Sequence, residues 1–338
     1  MHIGRHYTLR EVLYWTRRDI YFLLVLGTIP TVLYEFFDIK LVIPWVPIAL
    51  IGTAVAFIVG FKNNATYGRL WEARQIWGSI INASRSWGIL VKDFVTIKNA
   101  NIDISDDEVS QIHKRLIYRH IGWLTALRFQ LREPRPWENL TRSYNAEYRS
   151  HYSVPELEDK LDVELAKFIQ EDELKYVLSK KNRATQLINI QSGDLRMLAE
   201  KGMIDNFRHV EMENMLVNLF EQQGKCERIK NFPYPRQFAT LNLYFVCLFT
   251  LLVPFGMLQE FDKLGENFVW LTIPFTVLVC WVFLTMEKIG EVTENPFEGT
   301  PNDVPMAALT RTIEIDLREM LEEKEIPGPV AAVNNILM

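Results

Sequence analysis

The residue types that usually carry catalytic chemistry lack the spacing that such chemistry requires in this chain. The 338-residue sequence contains no Gly-rich phosphate loop, no zinc-protease helix motif, no nucleophile elbow and no Cys-x-x-Cys pair. His113 and His120 lie seven residues apart, so one helix could present both, but no third metal ligand accompanies them. We therefore expect no catalytic site, no bound metal and no cofactor.

One apolar segment carries two parallel stripes at helical spacing. The first consists of small residues four positions apart, which allow close contact between two membrane helices: Gly52, Ala56 and Gly60. The second lies about 100° around the same helix and consists of Thr53, Phe57 and Phe61. This arrangement suits a ring of identical helices in which the second stripe lines a central hole. It equally fits ordinary packing in a monomeric bundle, so the pattern by itself leaves both interpretations open.

A ring of phenylalanines would define the chemistry of such a hole. Several copies of Phe57 and Phe61 pointing inward would form a narrow, dry constriction that gates by wetting or by rotamer movement. Aromatic edges carry partial positive charge, so rings presented edge-on would tolerate an anion better than a cation. Rings presented face-on would favour a cation. The sequence does not decide between the two orientations.

The elements that must position these residues are membrane helices. The composition is 49% hydrophobic, with a net charge of −5 and three cysteines that lack framework spacing. This composition excludes a disordered chain, a disulfide scaffold and a general nucleic-acid binder. Apolar residues concentrate in two blocks near the ends of the chain, and charged residues break each block once. We expect four spans of roughly the 20 residues that cross a bilayer, over 20–33 or on to 37, 42–61, 238–258 and 268–286.

Basic residues predict the orientation of these spans. A cleavable signal peptide fits poorly, because 19 polar-rich residues precede the first span and no small-residue cleavage site follows it. Arginines concentrate before the first span and after the second, whereas the two opposite loops hold only Lys40 and Lys263 as basic residues. Both termini and the long middle region should therefore be cytoplasmic. The expected organisation is a cytoplasmic arm (1–19), two spans (20–61), a cytosolic helical region (62–237), two further spans (238–286) and a cytosolic C-terminal segment (287–338).

The middle region shows amphipathic helical patterns rather than strand patterns. From residue 62 to 97, apolar and small residues recur every three or four positions, including Trp77, Ser84 and Trp87. Helical patterns resume over 156–180 and 184–221, and a last amphipathic helix is expected over Met306–Glu325. The final nine residues have the composition of a loose tail. The predicted fold class is an all-α integral membrane protein with four membrane helices and a large helical cytosolic region.

Several local motifs, taken together and in order, resemble the bestrophin family and specifically its bacterial branch. The motifs are Gly60-Phe-Lys-Asn-Asn-Ala-Thr-Tyr-Gly-Arg-Leu-Trp-Glu-Ala-Arg74 followed by Trp77-Gly78 and Asn82, then Gly224-Lys-Cys-Glu-Arg-Ile229, Pro233-Tyr-Pro235, Pro254-Phe-Gly256, Glu294-Asn-Pro-Phe297 and Pro301-Asn-Asp-Val-Pro305. The resemblance extends over about residues 5–325.

The resemblance implies a homopentameric ion channel whose single pore follows the five-fold axis. It places a hydrophobic pore neck on the second span, at the stripe described above: Thr53, Phe57 and Phe61. The first neck position is threonine where the commoner family pattern has isoleucine. We therefore expect that ring to be smaller and wetter than the two phenylalanine rings.

The resemblance also implies two features outside the membrane. A second, cytosolic aperture is expected at or beside Phe207, with Arg208 and Ile204 as neighbouring candidates. Animal members bind calcium through an acidic run just after Asn-Pro-Phe, which is replaced here by Glu298-Gly-Thr-Pro-Asn-Asp303. Only Asp303 matches a carboxylate of that run, whereas calcium takes six to eight oxygen ligands. We expect no calcium gating and interpret Asp303 as part of a turn or helix cap.

Two groups of charged residues receive structural interpretations. Arg69 lies three positions before Glu72, a spacing that suits an ion pair on one helix face. The three glutamates at the inner end of the fourth span share a helix face and are expected to be solvated: Glu287, Glu291 and Glu294.

These expectations combine into a passive pentameric channel for small monovalent ions in a bacterial inner membrane, and not an enzyme. An anion such as chloride is favoured, because an ion in the neck lies next to the phenylalanine rings. The net charge of −5 is instead spread over a large surface, and salt screens its effect within ~8 Å. A sodium-conducting channel of the same fold is an alternative. So is a small-solute transporter, because Pro254 and Pro274 interrupt the last two spans, and a membrane scaffold is a third. The expected partners are the other subunits, the lipid bilayer and the conducted ions.

Overall fold

A computed structural model of the protein describes residues 1–97 and 105–338. Over those residues the chain is helical and contains no β-strand. The α-helices are α1 (Leu9–Phe37), α2 (Trp45–Phe94), α3 (Asp106–Arg132), α4 (Ser143–Arg149), α5 (Pro155–Glu158), α6 (Leu161–Leu165), α7 (Glu171–Leu178), α8 (Arg183–Glu200), α9 (Asn206–Asn231), α10 (Arg236–Asp262), α11 (Thr272–Thr293) and α12 (Met306–Met320). A 3₁₀ turn, Glu266–Leu271, leads into α11.

Four of these helices are long and apolar enough to cross a membrane, as the hydropathy pattern predicts: α1, α2, α10 and α11. Helix α11 packs against the other three, and α10 also contacts α1 and α2. Their common core is apolar and includes Leu23 of α1, Ile48 and Val55 of α2, and Val246 of α10. The second span is therefore held on one side by α10 and α11.

Helix α2 continues without a break far beyond the membrane. Its 50 residues make it about 75 Å long at 1.5 Å per residue, more than twice the thickness of a bilayer core. The boundary expected between Phe61 and Lys62 is thus a change of surroundings and not an end of the helix. Helix α1 likewise begins at Leu9, where Thr8 and Glu11 form a capping box, so most of the expected arm (1–19) is helical.

The second half of α2 forms the core of the region outside the membrane. It packs against α3, α9 and α12, and α3 packs in turn against α8. Trp77, Ser84 and Trp87 are buried there, as their helical spacing predicts. The helical pattern predicted over 184–221 is divided between α8 and α9, because Gly202 adopts φ 73° and Asp205 caps the next helix.

The C-terminal segment is not the loose tail that its composition indicates. Ile336 and Met338 are buried against Tyr152 and Val154. The backbone of Ile3 donates to the carbonyl of Asn335 at 2.8 Å, so the two ends of the chain pair with each other. Such pairing over more than 300 residues leaves no local signal in the sequence.

The two prolines of the last spans have different effects. Pro254 lies inside α10, and because it has no N–H, the carbonyl of Thr250 loses its helical partner. The thiol of Cys280 on α11 points to that carbonyl at 3.8 Å. Pro274 lies in the first turn of α11, where a missing N–H costs no hydrogen bond. Only one of the two spans is therefore interrupted.

Candidate functional site

The stripe of Thr53, Phe57 and Phe61 lies on a face of α2 that the rest of the described chain leaves uncovered. Phe57 is 66% exposed and Phe61 is 71% exposed, whereas Val55 and Val59 on the other side of the helix are buried. The three positions cover about 12 Å along the helix axis. The Thr53 hydroxyl donates to the carbonyl of Ala49 at 2.9 Å, so its proton is used within the helix.

The uncovered face continues along α2 beyond the membrane-spanning part. Exposed residues recur there every three or four positions: Asn64, Gly68, Trp71, Gln75, Ser79 and Asn82. Lipid can cover an apolar face inside the bilayer, but it cannot cover the same face outside it. Outside the bilayer its mostly polar residues can face water. A contact with other protein copies, or a water-filled passage, is an arrangement that would cover both parts of the face together.

The three positions of the small-residue stripe differ in their contacts within the subunit. A Cβ at Gly52 would lie 2.6 Å from the Phe249 ring on α10, so this glycine permits close packing within the subunit. Ala56 is exposed. Gly60 has no described atom within 4 Å of the place that a Cβ would occupy. The last two positions are therefore open to a neighbouring helix.

A buried polar cluster lies directly beside the stripe of Thr53, Phe57 and Phe61. Lys62 forms an ion pair with Glu287 on α11, and the amide of Asn242 on α10 donates to the other carboxylate oxygen of Glu287. All three side chains are buried. A polar residue such as Asn242 within an apolar span was the one signal in the sequence that could have indicated this cluster.

The expectation that Glu287, Glu291 and Glu294 form a solvated face is wrong. Glu294 is buried and accepts hydrogen bonds from Asn139 at 3.2 Å and Arg236 at 2.8 Å. The Tyr144 hydroxyl donates to Glu291 at 2.6 Å. Each carboxylate has partners from distant parts of the chain, which helical spacing alone does not show.

Arg69 also has different partners from those expected. Instead of pairing with Glu72, its guanidinium donates to three carbonyls, those of Glu294 at 3.0 Å, Ile229 at 3.1 Å and Phe232 at 2.9 Å. These carbonyls lie at or just beyond the ends of α9 and α11, where carbonyls lack helical donors. Glu72 pairs with Arg228. Arg69 is therefore a structural residue that joins three helices.

The three candidates for a cytosolic aperture lie in different surroundings. Phe207, in the first turn of α9, is 88% exposed. Ile204 is buried in the core, and Arg208 pairs with Asp205 at 3.1 Å. Phe207 is thus the one apolar side chain of the three that is free to line a passage.

Asp303 holds the loop between α11 and α12. One carboxylate oxygen accepts hydrogen bonds from the backbone of Gly299 at 2.5 Å and of Thr300 at 3.0 Å, and the buried Arg132 lies 3.4 Å from it. Asp303 is buried and caps a turn, which is one of the two roles expected for it, while Pro305 occupies the cap position of α12.

Glu298 of the same loop has an unusual protonation behaviour. Its side chain is buried and accepts a hydrogen bond from the side chain of Asn295 at 3.0 Å. Burial and the nearby carboxylates of Asp303 and Glu138 raise the pKa of Glu298 to about 8. Near neutral pH this carboxyl is therefore largely protonated, unlike an ordinary glutamate.

This pKa predicts that the protein becomes less stable as the pH rises. An unfolded glutamate loses its proton near pH ~4.3. The folded protein keeps that proton up to about pH 8, so in between the unfolded state binds fewer protons and the free energy of unfolding falls with pH. Glu298→Gln removes the ionisation, so its Tm relative to the unsubstituted protein should be higher at pH 8 than at pH 5. Thermal unfolding in detergent measures this, with the exposed Glu221→Gln as control. Equal pH slopes for Glu298→Gln and the unsubstituted protein would contradict the assignment.

The two histidines have different hydrogen-bond partners within the subunit. His120 is buried and lies 2.9 Å from the Ser84 hydroxyl, and burial lowers its pKa to about 3, which keeps the ring neutral. The His113 ring lies 2.9 Å from the carbonyl of Val95. Across residues 1–97 and 105–338, no group of three or more His, Cys, Asp or Glu side chains could hold a metal ion.

Four apolar helices, a long second span with one uncovered aromatic face and a helical region outside the membrane define a polytopic helical membrane protein. The family model described as bacterial and fungal bestrophin protein matches residues 10–319. The chain therefore belongs to the bestrophin family.

Similar proteins agree with this assignment. The chain is 26% identical to the voltage-dependent anion channel-forming protein YneE of Escherichia coli K12 over 284 residues, which is 84% of this chain and 79% of that protein. It is 27% identical to the voltage-dependent anion channel-forming protein RSc3414 of Ralstonia nicotianae, over 85% of this chain and 80% of that one. The crystal structure of a bacterial bestrophin homolog from Klebsiella pneumoniae has the same fold, with a TM-score of 0.73 at 21% identity over 93% of this chain and 100% of that chain.

Proposed function

We propose that the protein is a passive ion channel in which five copies surround one central pore. The second helices line the pore, and Thr53, Phe57 and Phe61 form its neck. The observation that carries this proposal is the uncovered face of α2, which leaves two phenylalanines exposed within the membrane and continues outside it. Rings of five phenylalanines make a narrow apolar constriction that gates by wetting or rotamer movement.

The conducted ions are small and monovalent, with anions such as chloride favoured. The relatives named above carry the name of anion channel-forming proteins. Within the subunit the charge of Lys62 is neutralised by Glu287, so Lys62 adds no net positive charge beside the neck. Preference for an anion then rests on the positive edges of the Phe57 and Phe61 rings.

The glutamates that would favour a cation also have hydrogen-bond partners within the subunit. Glu291 and Glu294 have hydrogen-bond donors as partners, and Glu294 is buried. A transporter mechanism is the second candidate, because α1 and α10 each contain an internal proline, Pro30 and Pro254, whereas Pro274 lies in the first turn of α11. Paired broken helices are the usual sign of a transporter site.

The membrane is the bacterial inner membrane, and the regions 1–19, 62–237 and 287–338 are cytoplasmic, with the spans in 20–61 and 238–286. Arg17 contacts Glu147 at 2.5 Å, which keeps the start of α1 beside the helical region. The arginines there obey the positive-inside rule. Phe207 forms a second constriction in the cytoplasmic part of the pore. Of the small-residue stripe, Ala56 and Gly60 pack the α2 helices together, whereas Gly52 packs against Phe249 within the subunit.

Current through a planar bilayer under a salt gradient tests this function. Purified pentamers, verified by light scattering, should give a reversal potential near the chloride equilibrium value, and protein-free bilayers serve as control. Reversal near the cation value would overturn the ion preference and favour the sodium-conducting alternative. An absence of current from verified pentamers would overturn the channel itself.

A further inference from the structure

We infer that Glu287 is a positioning residue for the neck. Acting through Lys62, it fixes the rotation of α2 about its own axis and thereby the direction of the Phe57 and Phe61 rings. This inference rests on the proposed neck function. It assigns to a residue on the fourth span, outside the pore helix, control over the opening and ion preference of the pore.

Lys62 lies at the edge of the uncovered face of α2. It follows Phe61 directly, and neighbouring side chains on an α-helix differ in direction by about 100°. Phe61 is exposed while Lys62 is buried, so the boundary between the exposed and the buried face of α2 lies between these two residues. Any rotation of α2 that moved Phe61 away from its present direction would also move Lys62 away from Glu287.

The carboxylate of Glu287 joins three of the four spans. It pairs with Lys62 of α2 and accepts a hydrogen bond from Asn242 of α10, while it belongs to α11 itself. Apolar side chains pack with little dependence on direction. A buried ion pair is different, because loss of either partner leaves an uncompensated charge in a low-dielectric medium. The pair therefore selects one orientation of α2.

Further polar contacts between α2 and α11 occur at the same level. The amide of Asn63 donates to the carbonyl of Met286 at 3.1 Å. Gly290 has no room for a Cβ beside Asn63, so the two helices come close to each other there. One turn further, the hydroxyl of Thr293 donates to that of Thr66 at 3.0 Å. These contacts follow the neck immediately, and they connect the same face of α2 to α11.

The experiment compares Glu287→Gln, Lys62→Met and the exchanged pair Lys62→Glu with Glu287→Lys. We expect each single substitution to change the open probability at least fivefold and to alter the relative permeability to chloride and sodium. The exchanged pair should restore both towards their original values. A matched control is Lys288→Met, which breaks the ion pair of the adjacent residue with Asp19 on α1 and leaves α2 untouched.

A readout independent of current separates this inference from the channel proposal. With Phe61→Cys in a chain without its native cysteines, the introduced thiol can be labelled with a membrane-impermeant reagent. Glu287→Gln should change the labelling rate about tenfold, whereas Lys288→Met should leave it unchanged. A changed rate in a protein that carries no current would overturn the channel and keep the positioning role. An unchanged rate in a conducting Glu287→Gln variant would overturn the positioning role alone.

A milder substitution covers the case in which Glu287→Gln does not assemble. Asn242→Ser keeps both charges and removes only the amide that donates to Glu287. It should shift the open probability and the labelling rate in the same direction as Glu287→Gln, by about twofold. An assembled Asn242→Ser variant with unchanged values for both, or a Lys288→Met variant with equal effects, would overturn the inference.

Discussion

Replacement of Phe57 and Phe61 together by alanine is expected to raise the single-channel conductance by about fivefold or more and to abolish closures. A hydrophobic constriction closes because water leaves a narrow apolar passage. Two rings of five phenylalanines provide that passage in the proposed pentamer, and alanine rings would be wide enough to stay wet. The double substitution should also weaken the preference for chloride, because the aromatic edges are lost.

Single-channel recording in a bilayer measures this effect. Phe22→Ala is a suitable control, because Phe22 is exposed on α1, where a lipid contact is expected. That variant should conduct as the unsubstituted protein does. An unchanged conductance and unchanged closures in the double variant would contradict the assignment of the neck to this face of α2.

The parts of this structure that follow from local patterns could be predicted from the sequence. Four apolar runs of about the right length predicted four membrane helices, and the three-to-four spacing of Trp77, Ser84 and Trp87 predicted a buried helix face. That Phe57 and Phe61 share one face of α2 also follows from their spacing, but the exposure of that face does not. The ends of the helices could not be predicted from hydropathy. Hydropathy reports where the membrane ends, and α2 passes that level without a break at Lys62.

The parts that depend on distant partners could not be predicted. Glu287 meets Lys62 across 225 positions of the chain, so the helical spacing of the glutamates gave only a solvated face. Arg69 binds carbonyls at helix ends, a set of partners that no local rule of side-chain pairing contains. The contacts that hold α2 against α9 and α11 thus depend on residues that the sequence of α2 does not reveal.

Replacement of Gly60 by leucine is expected to prevent assembly while leaving the subunit folded. No described atom of the subunit lies within 4 Å of a Cβ at this position, so the subunit itself has room for the larger side chain. Leucine also favours a helix by roughly 1 kcal/mol relative to glycine. Only a neighbouring helix at close range would be displaced, and the stripe of small residues predicts such a neighbour.

Light scattering in detergent gives the mass of the assembly, and thermal unfolding reports on the subunit. Gly60→Leu should shift most of the protein from pentamers to smaller species. Gly193→Leu is the matched control, since Gly193 lies on α8 and also has open space around it. Gly52→Leu should instead destabilise the subunit, because its side chain would meet the ring of Phe249. Intact Gly60→Leu pentamers would mean that lipid or the pore, and not a second α2, lies against this glycine. The close contact between second helices would then have to be sought along the cytoplasmic part of α2.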